Sequence, residues 1–107
     1  MTDEVARIDW TRSAIEIDRL IRGCDPSPGA HASRANGERV RLFDARFHAG
    51  EGGAEPGTVI GLEQGRLAVA ALGGSVSIGK LRVGDGAKGP AAAIFAAAGV
   101  EAGERLR

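Results

Sequence analysis

The chain has no tyrosine, one tryptophan and three phenylalanines among its 107 residues. That scarcity speaks against a surface that stacks bases, the usual grip on single-stranded nucleic acid. A single cysteine excludes an internal disulfide, so no oxidising compartment is implied. Neither sign of charge is in excess. Fourteen Lys and Arg balance fourteen Asp and Glu, which removes any general attraction to nucleic acid or to an anionic membrane. No apolar run approaches the roughly 18 residues that span a bilayer. The polar start Thr2-Asp3-Glu4 is unlike a secretory signal. The expected location is the cytoplasm, with no membrane partner.

What is abundant is glycine, 17 residues of it. Closely spaced glycines suit tight turns and the corners of small β-barrels. The length is that of one domain. Residues 1–7 read as an N-terminal arm or the end of a linker, and 8–107 as the domain. Thr11 is placed to cap a helix over 11–22, with Ala14, Ile17, Leu20 and Ile21 at helical spacing. Gly23 is expected to end that helix with positive φ. Pro26 and Pro28 prevent it from resuming, and Gly29 turns the chain into a strand.

Strands are expected over 30–35, 38–47, 58–62, 67–72 and 75–83. Asn36-Gly37 joins the first two in a tight hairpin. Residues 48–56 and 84–89 form loops. Along 38–47 the apolar residues move from even positions (Val40, Leu42) to odd ones (Phe43, Ala45, Phe47). Along 75–83 a similar shift separates Val76 and Ile78 from Leu81 and Val83, with Gly79 between them. Such shifts predict a bulge, a barrel corner or a strand buried on both faces. Pro90 opens a last helix, 91–98, which Gly99 stops. The fold class is mainly β (α+β). The expected architecture is a small OB-like β-barrel of about five strands with one N-terminal and one C-terminal short helix. A small mixed sandwich is the alternative.

No catalytic set stands out. His31, His48 and Cys24 have no metal-ligand spacing. The two histidines read as ordinary surface or loop residues, and Cys24, at a helix end, as an inert thiol. None of the serines lies in a nucleophile elbow. The segment Gly84-Asp85-Gly86-Ala87-Lys88-Gly89 lacks the spacing of a phosphate loop. The candidate binding residues are basic: Arg39 and Arg41 on one face of their strand, with Lys80, Arg82 and Lys88. They form either a stripe for nucleic acid or a solvated strand face. Trp10 and Phe43 are expected in the core or against the first helix.

Several motifs occur in a telling order: Ile8-Asp9-Trp10, Ile21-Arg22-Gly23, Pro28-Gly29-Ala30, Pro56-Gly57-Thr58-Val59, Gly65-Arg66-Leu67-Ala68-Val69, Gly86-Ala87-Lys88 and Gly103-Glu104-Arg105-Leu106. In this order the chain resembles the C-terminal domain of formyltransferase-type enzymes. That family includes methionyl-tRNA formyltransferase and the hydrolase part of 10-formyltetrahydrofolate dehydrogenase. The resemblance implies an OB-type fold. It also implies a non-catalytic accessory role beside a catalytic α/β domain, in cis or in trans, that supplies an Asn, a His and an Asp. None of those three maps onto this sequence. No cofactor is implied for this chain, whereas 10-formyltetrahydrofolate is implied for a parent enzyme. The alternatives are a tRNA-binding module, with at most weak contact, and an interaction domain of a larger enzyme.

Overall fold

The computed structural model describes residues 4–50 and 54–107. Residues 1–3 of the expected arm and 51–53 of the expected loop lie outside them. Helix α1, Ala14–Cys24, leads into β1 (Ala30–Ser33), β2 (Arg39–Ala49), β3 (Val59–Glu63), β4 (Arg66–Ala71), β5 (Gly74–Val83), β6 (Gly89–Pro90) and helix α2 (Ala91–Ala98).

Helix α1 starts later than the sequence suggests. Ser13, not Thr11, is its cap: the Ser13 hydroxyl accepts from Glu16 N–H and donates to the Glu16 carboxylate. Thr11 is engaged by Asp9 instead, donating to it through both hydroxyl and backbone N–H. The Thr11 hydroxyl first, and then its N–H, hold the Asp9 carboxyl below the usual range. Gly23 is helical and does not end α1. The helix runs to Cys24, and Asp25 leaves it in an extended conformation. Ala14, Ile17, Ile21 and Cys24 bury one face, and Asp18 is buried with them.

The strands are antiparallel and ordered β1-β2-β5-β4-β3, with β6 beside β5. This confirms a mainly β chain with two short helices, but the strands do not close into the expected barrel. The path is open, and β1 and β3 are its two ends. Irregular segments cover these edges instead. Ser33 and Arg107 exchange two backbone bonds, both 2.8 Å, at the β1 edge. Val59 exchanges 2.7 Å bonds with Gly103 and Glu104 at the β3 edge, and Leu106 N–H donates to Gly57 O. Thus residues 103–107 bridge the two ends of the sheet. On β1, His31 also exchanges backbone bonds with Ala6 and Ile8.

The Asn36-Gly37 turn is present in a three-residue form. Gly37 N–H donates to Arg34 O, Arg34 N–H to Glu38 O, and of the turn residues only Gly37 has positive φ, 88°. Pro90 precedes the first turn of α2 rather than sitting in it. Gly99 ends that helix in the left-handed conformation, as expected.

The phase shifts have a common cause. Val40 pairs with Val83, Leu42 with Leu81, Phe43 with Lys80 and Ala45 with Ile78, without any slip in register. Between the last two pairs, Asp44 on β2 and Gly79 on β5 drop out of the ladder together. Asp44 has φ 57° and turns its N–H to the Asp25 carboxylate, 2.9 Å away. Both strands therefore reverse their faces at one level. Val40, Leu42, Ala45, Val76, Ile78 and Leu81 all reach the single apolar core.

Candidate binding surface

The face of β2 and β5 opposite the core carries the basic residues. Arg41 lies directly across from Arg82, and Phe43 from Lys80. Arg39 continues the line one pair beyond Arg41, opposite Ser33 of β1. Lys88, from the loop after β5, places Nζ 4.0 Å from the centre of the Phe43 ring, a cation–π contact. It also lies 3.8 Å from the Asp25 carboxylate. Lys80 and Lys88 thus flank Phe43, Arg41 and Arg82 follow on the same face, and Arg39 lies beyond them beside Glu4, Arg7 and His31.

Two of these cations also hold the fold. Arg41 Nη1 donates to the carbonyls of Pro28 (3.1 Å) and Gly29 (2.9 Å). Arg82 Nε donates to Gly86 O at 2.9 Å. Like charges facing each other across a ladder repel, and these carbonyls offset part of that cost. Phe43 is buried, as expected, on the face opposite the main apolar cluster. Its ring occupies the space over Gly29. A side chain there would come within 2.7 Å of the ring, and Gly29 has φ 85°, so glycine is needed on both counts. Trp10 is in the core as expected.

Further along the same face lies a second network that no sequence motif marked. Arg66 on β4 donates through Nε to Ser77 Oγ (3.0 Å), through Nη1 to the Asp44 carboxylate (2.9 Å) and through Nη2 to the carbonyls of Asp44 and Ser77. His48 Nε2 lies 3.1 Å from Ser77 Oγ. His48 is therefore an exposed strand residue, not a loop one. His31 is buried on β1, which corrects its surface placement. Cys24 is fully buried, and burial pushes its thiol pKa up. Among the described residues no three His, Cys, Asp or Glu stand together as metal ligands, and no helix is long and apolar enough to cross a membrane.

A separate open groove of about 680 Å³ runs between α1 and β2. Ile15, Asp18, Arg19 and Arg22 line it from the helix, and Asp44, Ala45, Arg46 and Phe47 from the strand. Asp18 was legible as an oddity, a carboxylate on the stripe between Ile17 and Ile21.

At the far end of the molecule, Arg34 joins the hairpin to the C-terminal segment. Its guanidinium donates to both Glu104 oxygens at 2.8 and 2.9 Å, to Glu38 at 2.9 Å and to Ala98 O at 3.0 Å. The bonds to Glu104, and then to Glu38, push its pKa further above the usual arginine range.

Comparison with known proteins agrees with this architecture. The model of the formyl transferase C-terminal domain family matches residues 1–99. The chain belongs to that family. The methionyl-tRNA formyltransferase of Stutzerimonas stutzeri is 37% identical over 86 residues, covering 80% of this chain and 26% of that protein. The same enzyme of Geotalea daltonii is 36% identical over 99 residues, covering 92% and 31%. Among solved structures, a variant of HypX from Aquifex aeolicus superposes with a TM-score of 0.76 at 26% identity, over 97% of this chain and 19% of that one. HypX from the same organism in complex with tetrahydrofolic acid gives 0.72 at 28% identity, over 89% and 17%. The chain spans only a quarter to a third of the length of these formyltransferase relatives.

Proposed function

We propose that this chain is a non-catalytic accessory domain of a cytoplasmic formyltransferase-type protein, docking on a separate catalytic α/β domain and positioning its substrate. The observation that carries the reading is the family match over residues 1–99, set against relatives about three times as long. In this reading the domain is an OB-like barrel variant whose ring is completed by irregular segments, and it takes in residues 4–7 of the expected arm, where Ala6 is buried and bonded to β1. The parent protein uses 10-formyltetrahydrofolate as its one-carbon donor or as a hydrolytic substrate. This chain takes no cofactor and supplies no reacting group. The test is an assay of formyl transfer and of 10-formyltetrahydrofolate hydrolysis, with and without an α/β domain supplied in trans. Blank activity alone and an altered KM or kcat for the mixture are expected. Turnover by this chain alone, lost in a destabilised variant, overturns the reading.

A second reading, a tRNA contact, draws support from the Arg41–Arg82 juxtaposition. Two guanidiniums side by side, with Lys80 and Lys88 near, suit phosphate oxygens. Zero net charge and the internal bonds of Arg41 and Arg82 keep it second.

A further inference from the structure

We infer that the groove between α1 and β2 receives one basic side chain, an arginine or lysine, from the α/β domain, with Asp18 as its partner. This deepens the docking reading and depends on it for the identity of the partner. Asp18 is 5% exposed. Its Oδ1 has no hydrogen-bond partner among the described residues, and its Oδ2 meets Arg22 Nη1 only at 3.6 Å. That contact is too long for a hydrogen bond, and the Arg22 side chain is 69% exposed. A buried carboxylate held this loosely is costly unless a second cation completes it.

The groove is shaped for such a guest. Ala45, Phe47 and Ile15 offer apolar surface to the alkyl stem of a long basic side chain. Arg19 and Arg46 flank the groove and make no ion pair among the described residues. They complement acidic residues on either side of the guest. The occupant is therefore a protein segment with one basic residue between acidic ones.

The test uses Asp18→Asn, with Ile15→Glu as a second variant and Glu101→Gln as a control away from the groove. Titration calorimetry of each against the α/β domain is expected to show at least tenfold weaker binding for the first two and wild-type affinity for the control. Circular dichroism is expected to show that Asp18→Asn remains folded. Equal binding by wild type and Asp18→Asn overturns the groove and leaves docking standing. No complex with the wild type removes the docking reading. The cation site is then decided by n-butylguanidinium and amide NMR shifts. Saturable shifts at Ile15, Arg19, Ala45 and Phe47 that vanish in Asp18→Asn support it, and absent or unchanged shifts overturn it. Self-association of the wild type that Asp18→Asn abolishes assigns the groove to a second copy and overturns the proposed partner.

Discussion

The Asp44 carboxylate and the Arg66 guanidinium pair at 2.9 Å directly over Gly79. A methyl group on residue 79 would overlap both. Gly79 is therefore glycine because an ion pair lies across its backbone, and that pair sits where both long strands reverse their faces.

Gly79→Ala is expected to displace the pair and cost about 1–3 kcal/mol, the usual range for overpacking. In an Asp44→Ala background much of that cost should vanish, since the clash is relieved. Urea unfolding of the four proteins measures the coupling. Strict additivity would show that the pair does not constrain residue 79.

Arg34→Ala should destabilise the domain by about 3–5 kcal/mol, the range for removing one partner of a buried pair, because Glu104 keeps its charge. The Arg34 side chain is 11% exposed and that of Glu104 19%, so solvent does little to screen the loss. Arg34→Lys should recover only part of it, since an ammonium cannot reach both Glu104 oxygens at once. Thermal melts that rank lysine equal to arginine would contradict the role of the fork.

Cys24 should resist Ellman's reagent in the native domain and react at once in urea. Its native thiol pKa is raised, so the unfolded thiol ionises first as pH rises. The stability contribution is whole below the ordinary thiol pKa and is lost as pH climbs from there through the raised native value. Cys24→Ala should remove this alkaline decline. A decline of the same size in that variant would assign it to another group.

Trp10 packs beside Gly57 and is 8% exposed. Acrylamide should quench it far more slowly than free indole, and Trp10→Ala should cost about 3–5 kcal/mol. Quenching at the free-indole rate in folded protein would contradict the burial.

Binding of tRNA by this chain should fall near 10⁻⁴ to 10⁻⁶ M at physiological salt, roughly the non-specific range. Filter binding at two salt concentrations decides it. Sub-micromolar affinity with a steep salt slope, reduced by Lys80→Ala with Arg82→Ala, would place the tRNA reading first.

Much of this was legible in the residues. The helices, the strand sequence and the two phase shifts follow from apolar spacing, and Arg39 and Arg41 alternate visibly with Val40 and Leu42. What escaped depends on distant partners. Thr11 and Ser13 are both good caps, and only the competing claim of Asp9 on Thr11 decides between them. Gly23 tolerates either a helical or a left-handed backbone. That Arg82 faces Arg41, or that Arg66 reaches Asp44, requires a strand register that no local pattern encodes. The ends of the sheet are covered by backbone bonds, which any residue but proline can donate, so the open strand path had no signature.

The bridge made by residues 103–107 also bears on the order in which the molecule can be completed. During synthesis β1 and β3 emerge long before the segment that covers them. Until it arrives, Ser33 on β1, next to the already paired His31, and Val59 on β3 present unpaired N–H and C=O groups of the kind that recruit other chains. The nascent chain therefore passes through a stage in which the β3 edge and the end of β1 are adhesive, and residues 103–107 close it.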